Sequence, residues 1–225
     1  MRIALQCALL ALALLQGCGG APRRLPPVAA ANVYVVRAGD TLYSISWRNG
    51  VDYHDVARWN GIGADFRIDV GQQLLLQSPS GAVAGAVPRP APRPVEVPLP
   101  VSAPPHWQWP ADGVATLTVG PPSGAPGLRI VGATGAPVRA AAAGRVVYRG
   151  SGLRAYGQLV IIKHDDTWLS AYGYNSELYV AEGETVREGQ KIAAMGIGPG
   201  NQSLLYFEIR QNGRPVDPQR QLPPR

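Results

Sequence analysis

The sequence predicts two small domains of different fold class, joined by a proline-rich linker. The first is a small α+β module with the order strand, helix, helix, strand (βααβ), and the second is all-β. Three observations support this. Residues 33–77 contain two short amphipathic stretches with helix start and stop signals, flanked by apolar runs. Residues 78–105 are rich in proline and too poor in aromatic side chains to form a core. Residues 106–225 show short apolar runs separated by glycine, which is typical of antiparallel β structure.

The N-terminus has the features of a secretory signal peptide. An early arginine precedes an apolar run that is too short to span a bilayer and ends in "LQGC". This tetrapeptide resembles the bacterial lipobox, whose cysteine becomes the lipidated first residue of the mature protein. We therefore expect removal of residues 1–17, lipidation of Cys18 and a tether over residues 18–32. Gly19 after the cysteine favours the outer membrane. The alternative is an ordinary signal peptide with an incidental cysteine.

Composition argues against two further properties. The net charge of +6 is scattered along the chain, without a lysine-rich stripe that alternates with aromatics, so nucleic-acid binding is not expected. The two cysteines are Cys7, inside the predicted signal peptide, and Cys18. No thiol then remains for a disulfide, although the periplasm is oxidising. Stability must come from packed cores.

The first module opens with a strand over Tyr34–Val36 and a glycine turn. Asp40 or Thr41 can cap a helix that ends near Asn49. A second helix is expected over about Tyr53–Trp59, and "VGQQLLL" supplies the closing strand.

The motifs "YVVRAGDTL", "WNGI" and "VGQQLLL" resemble the LysM domain along the whole module. The resemblance implies binding of N-acetylglucosamine-containing glycan strands of peptidoglycan in a shallow groove between two loops. In the alternative interpretation, the polar residues of the first loop only cap the helix. The glycan-binding residues implied by the resemblance are Gly39, Asp40, Thr41, Leu42, Asn60, Gly61 and Ile62.

Residues 106–225 resemble the LytM, or lysostaphin-like, metallopeptidase domain. The motifs are "AAGRVVY", "LVIIKHDDTWLSAY", "VREGQKIAAMG" and "FEIR", in the expected order. Active members hold zinc with three protein ligands and leave one position open for water. Matched position by position, the ligands and their assisting histidines fall on Ala125, Arg129, Tyr174, Leu204 and Tyr206. The cationic Arg129 opposes metal binding. We therefore expect a degenerate domain with no catalytic residue, no metal and no cofactor.

The altered residues suggest a different use of the same place. Simple decay would leave them as core. A surface that is apolar with a few polar tips would instead suit an amphipathic helix of a partner. On that view Arg129→Glu or Tyr206→Glu should abolish the partner's response without unfolding the domain. The predicted partner-binding groove consists of Arg129, Tyr172, Tyr174, Leu204 and Tyr206.

The order of lipobox, LysM, linker and degenerate LytM domain resembles the NlpD-type amidase-activator lipoproteins. The resemblance implies an outer-membrane lipoprotein on the periplasmic face, enriched at the septum. It would activate a periplasmic N-acetylmuramoyl-L-alanine amidase during daughter-cell separation. Two alternatives remain: a passive peptidoglycan tether or scaffold and, least favoured, a zinc endopeptidase. This chain also lacks the Gly-x-Asp and Leu-His-Phe remnants that most such activators keep.

Overall fold

The structure is a computed structural model that describes residues 33–79, 104–120 and 124–225. The predicted signal peptide, the lipidated Cys18, the tether and most of the linker lie outside these residues. Among the described residues, no helix combines the length and the apolar character needed to cross a bilayer.

The first module has the predicted βααβ order. Thr41 is the N-cap of the first helix and forms a capping box with Ser44, and Gly50 ends that helix in the left-handed conformation. The outer strands pair antiparallel, so the module closes on itself. Its elements are β1 (Val33–Val35), α1 (Leu42–Asn49), α2 (Tyr53–Asn60) and β2 (Gln73–Leu75).

The second domain is all-β, as predicted, and its strand pairings are all antiparallel. The strands are β3 (Val114–Gly120), β4 (Ala125–Val131), β5 (Pro137–Arg139), β6 (Gly144–Gly150), β7 (Gln158–Lys163), β8 (Trp168–Leu178), β9 (Thr185–Val186), β10 (Lys191–Gly198), β11 (Gln202–Gln211) and β12 (Arg214–Val216). The sheet order is β3-β4-β11-β10-β8-β7-β6-β9, with β5 paired to β10, β12 paired to β11, and a further pairing between β11 and β8.

The two faces of this sheet have different partners, because side chains alternate along each strand. One face buries Leu128, Phe207 and Ile209 in the domain's own core. On the other face, Tyr206 belongs to a second buried cluster that also contains Trp47 of α1. The first module therefore packs on the sheet face that carries Tyr206.

A buried ion pair lies at this junction. Glu208 and Arg210 are 0% and 1% exposed on β11, and Nε of Arg210 donates to the Glu208 carboxylate over 2.7 Å. The guanidinium stacks on the indole of Trp47 at 3.7 Å and donates to the Trp47 carbonyl over 3.0 Å. Burial raises the pKa of Glu208, while the guanidinium opposes that rise by stabilising the carboxylate.

A second polar network lies around His164, between β7 and β8. Its Nδ1 is 2.7 Å from the carbonyl oxygen of Ala143, which can only accept, so Nδ1 carries a proton. Nε2 lies 2.7 Å from Oγ of Ser170, which in turn lies 2.9 Å from the Tyr172 hydroxyl. The neutral ring is therefore satisfied on both sides. Burial lowers the pKa of His164 from 6.5 to about 4.

We expect Arg210→Ala to lower the free energy of unfolding by about 3–5 kcal/mol, because it leaves the Glu208 carboxylate buried without its counter-ion. Glu208→Gln in the same chain should restore part of the loss, since no unpaired charge then remains. Denaturant unfolding followed by tryptophan fluorescence measures both. Arg214→Ala, on an exposed side chain of β12, is the control and should change stability by less than about 0.5 kcal/mol. An Arg210→Ala variant as stable as the control would contradict the docked arrangement of the two modules.

The His164 environment predicts a pH dependence of stability. The folded state takes up the proton near pH 4 and the unfolded chain near pH 6.5, so the unfolded state binds more protons between these values. The free energy of unfolding should therefore fall as the pH is lowered from 6.5 towards 4. A His164→Gln variant should show a smaller fall over that window in denaturant titrations. Equal pH profiles for the variant and the parent chain would exclude this contribution.

Candidate functional site

The first loop predicted to bind glycan is a tight turn held by Asp40. Gly39 has a φ of +81°, which favours glycine. The Asp40 carboxylate accepts from the Tyr34 hydroxyl at 2.7 Å, from the backbone N–H of Arg37 at 2.9 Å and from the guanidinium of Arg48 at 3.4 Å. Asp40 is thus committed to shaping the loop.

The other predicted glycan-binding residues divide into structural and exposed groups. Thr41 caps α1, and Leu42 is fully buried. The Asn60 side chain donates to the Leu75 carbonyl and accepts from its N–H, which ties α2 to β2. Gly61 and the half-buried Ile62 lie at the surface after α2. The backbone of the two glycine loops is therefore the part free to meet a sugar, and glycan binding at these residues remains a prediction.

The positions matched to the peptidase ligands do converge in the sheet. Tyr206 on β11 lies directly opposite Arg129 on β4 and opposite Gly173 on β8. Ala125 is on β4 as well, and it is buried. Strand register thus brings Arg129, Gly173 and Tyr206, from three strands far apart in sequence, into one row.

The Tyr206 ring occupies a slot built from two glycines. A Cβ atom at Gly120 would overlap the Tyr206 hydroxyl, and one at Gly127 would lie 2.5 Å from it. The hydroxyl donates to the Glu208 carboxylate over 2.9 Å. Burial, and then the charge of Glu208, raise the pKa of Tyr206, so the phenol stays protonated and acts as the donor.

Two further tyrosines cover this slot. The rings of Tyr156 and Tyr174 lie 5.7 and 6.4 Å from that of Tyr206, between centroids. The Tyr174 hydroxyl donates to the Ala155 carbonyl over 2.9 Å. A β-bulge places Tyr174 here: Gly173 and Tyr174 on β8 together face Leu159 on β7, and Tyr174 has a φ of +60°.

The predicted groove needs correction, because three of its five residues are buried. Tyr172 is 0% exposed and lies on the opposite face of the sheet, where its hydroxyl accepts from the Ala141 N–H at 2.8 Å. Leu204 and Tyr206 are 1% and 2% exposed. Arg129 is exposed and Tyr174 is half-buried, so these two residues are the accessible members of the set.

The residues at the matched positions do not fit a zinc ion. Protein zinc sites use thiolates, imidazoles and carboxylates. The matched positions carry instead the methyl group of Ala125, the guanidinium of Arg129, the apolar side chain of Leu204 and the neutral phenols of Tyr174 and Tyr206. In the parts of the chain that the structure describes, no group of three or more His, Cys, Asp or Glu side chains is placed to hold a metal.

Sequence reasoning missed the residues that connect this place to the first module. They are Trp47, Tyr156, Glu208 and Arg210. One signal was available. Glu208 and Arg210 follow Leu204 and Tyr206 along one face of β11, and charged residues need a partner wherever such a face is buried. The sequence pattern does not predict that this partner is Trp47 of the first module.

Both modules match models of known protein families. The LysM domain model matches residues 34–77, and the model of peptidase family M23 matches residues 123–218. A crystal structure of a putative peptidase M23 from Pseudomonas aeruginosa is similar, with 26% identity and a TM-score of 0.46. That similarity covers 52% of this chain and about half, 51%, of the solved one.

Three curated relatives span most of the chain. The Lipoprotein NlpD/LppB homolog of Pseudomonas aeruginosa is 38% identical over 93% of this chain and 82% of its own length. The uncharacterized lipoprotein YgeR of Escherichia coli is 36% identical, covering 94% and 89%. The murein hydrolase activator NlpD of Escherichia coli is 33% identical, covering 87% and 69%. With both modules in order and these identities over most of each chain, the protein belongs to the NlpD family of LysM- and M23-domain lipoproteins.

Proposed function

We propose that the protein binds peptidoglycan through its LysM module and activates a periplasmic N-acetylmuramoyl-L-alanine amidase without cutting the wall itself. The relatives named murein hydrolase activators support the role. The observation that carries the non-catalytic part is the buried Tyr206 ring, which stands at a position matched to a zinc ligand and is fixed there by Gly120, Gly127 and Glu208.

The surface for the amidase is proposed around Arg129 and Tyr174. Among the described residues, no carboxylate lies within 4 Å of the Arg129 guanidinium, so this cation is available to an acidic side chain of a partner. On the adjacent edge strand β3, Thr116 lies directly opposite Arg129, and Val114, two residues away on the same face, is 72% exposed. A cation near an exposed apolar side chain suits an amphipathic helix with an acidic position.

Activation then follows from binding linkage. Consider an amidase that exchanges between an open, active state and a blocked, inactive state. A protein that binds the open state more tightly shifts the population towards it by the ratio of the two affinities. Lipidation of Cys18 would hold the protein at the outer membrane, and enrichment at the septum would place it where daughter cells separate. Should the second domain not act on an amidase, a peptidoglycan-binding tether is the function that remains.

Release of dye from labelled peptidoglycan tests the central proposal. The full-length protein alone should release no dye above background, a periplasmic amidase from the same organism should release little, and the two together should release several times more. Release by the protein alone would overturn the non-catalytic role. If the protein stimulates none of the periplasmic amidases but still binds peptidoglycan, the tether function is the one supported.

Charge reversal at Arg129 tests the proposed amidase surface. Arg129→Glu should greatly reduce stimulation and leave the thermal unfolding midpoint unchanged, because the side chain is exposed. Arg187→Glu makes the same charge change at an exposed position in the turn after β9 and should stimulate normally. Equal loss in both variants would indicate a general charge effect and contradict a specific contact.

Tyr206 requires a different expectation from the one that the sequence suggested. Tyr206→Glu should destabilise the fold strongly, because it places a second carboxylate beside buried Glu208. Tyr206→Phe keeps the ring and removes one donor from Glu208, so it should cost about 1–3 kcal/mol of unfolding free energy. At a temperature where it is folded, Tyr206→Phe should still stimulate the amidase. Loss of stimulation in a folded Tyr206→Phe protein would return this residue to the partner surface.

A further inference from the structure

A cleft of about 660 Å³ lies between the two modules, and Arg129 is not part of its lining. One wall is the turn between β1 and α1 of the LysM module, including Gly39 and Asp40. The other wall is the segment from Tyr148 to Tyr156, which runs from the end of β6 towards β7. We call this space the inter-module cleft. Its volume lies in the range of sites that hold a small ligand.

The inter-module cleft is strongly basic. Its lining contains four arginines, Arg37, Arg48, Arg149 and Arg154, and one carboxylate, Asp40. Asp40 is already shared between Arg48 and two other donors. Within the described residues, Arg37, Arg149 and Arg154 have no carboxylate within 4 Å, and all three are exposed. The nearby carboxylate of Glu182 accepts from the backbone N–H of Arg149 and is not part of the lining.

Aromatic side chains make the cleft rigid. Tyr148 and Tyr156 are 2% and 0% exposed and belong to the cluster that joins the modules. In the LysM wall of the cleft, the guanidinium of Arg48 donates to the Tyr34 hydroxyl over 2.6 Å and lies 5.6 Å from the centre of its ring. The arginines therefore project from a fixed frame, which lowers the entropy cost of ordering a ligand.

We propose that the inter-module cleft binds the carboxylates of peptidoglycan stem peptides. The cleft shares Gly39 and Asp40 with the loop predicted to meet the glycan strand, so a peptide attached to a sugar on that loop can reach the arginines. A guanidinium presents paired N–H donors that match a carboxylate. A concave site between two modules suits a discrete side branch better than the flat surface of a membrane. The inference rests on the proposed binding of peptidoglycan and names the part of it that is recognised.

Ligand binding at this site would also depend on the docking of the two modules. Arg37 and Arg48 belong to the LysM module, and Arg149 and Arg154 to the second domain. A stem peptide that contacts both pairs binds the docked arrangement and not the separated one. Its binding therefore stabilises docking by mass action.

The test compares three soluble glycans in titration calorimetry with the full-length protein in detergent: a peptidoglycan tetrasaccharide with tetrapeptides, the same compound with its carboxylates amidated, and the tetrasaccharide without peptide. We expect the first to bind about tenfold more tightly than the other two, and less tightly as salt is raised. Arg149→Gln with Arg154→Gln should remove that difference and leave peptide-free binding unchanged. Arg187→Gln with Arg214→Gln, two exposed arginines outside the cleft, is the matched control and should keep the difference.

The outcomes separate the two proposals. Equal affinity for all three glycans would overturn the stem-peptide site and leave peptidoglycan binding in place. No binding of any glycan would overturn the peptidoglycan part of the proposed function as well. If the Arg149 and Arg154 variant keeps its preference for the peptide-bearing glycan but loses binding to phosphatidylglycerol vesicles, the cleft serves a lipid headgroup and the proposal is wrong.

Discussion

The arrangement of this molecule depends on the buried ion pair between Glu208 and Arg210. Two charges removed from water are tolerated only when their remaining hydrogen-bonding groups find partners. Here Tyr206 supplies a donor to Glu208, and Trp47 supplies a carbonyl and a ring face to Arg210. The pair thus has partners from both modules, although Nη2 of Arg210 is buried without one. Separation of the modules would leave Arg210 without the Trp47 carbonyl and its stacking partner.

This pair connects two features that the sequence presents as unrelated. At one end is Tyr206, which the resemblance matches to a metal ligand, and at the other is α1 of the LysM module. The inter-module cleft lies beside this connection, since Tyr156 packs on Tyr206 and also lines the cleft. Changes at Tyr206 should therefore affect module docking first. The exposed Arg129 on β4 makes no ion pair with this network among the described residues.

The helices and strands of both modules could be predicted from local sequence signals. The arrangement of the candidate site could not, because it depends on contacts between residues far apart in sequence. Thr41, Gly50 and the apolar spacing of α1 each specify a helix boundary within a few residues, so the βααβ order followed from sequence. Tyr172 and Tyr174 were both placed in the predicted groove, which the two-residue period of a regular strand would allow. The bulge at Gly173 and Tyr174 breaks that period and sends them to opposite faces, and a bulge depends on the partner strand as well as on the sequence. The Trp47 carbonyl that accepts from Arg210 lies 163 residues away in sequence, beyond the range of any periodic pattern.

The same geometry explains why the matched metal site is not one substitution away from a zinc centre. A histidine at 206 would leave empty the far end of the slot beside Gly120 and Gly127, where the tyrosine hydroxyl now lies. It would also remove the phenol that now donates to Glu208, and two of the three ligand positions would still hold Ala125 and Arg129. Ala125 and Tyr206 are buried and Arg129 is positively charged, so none of the three favours a bound cation. Tyr206 is thus part of the contact between sheet and LysM module, while Arg129, opposite it on the same sheet face, remains exposed.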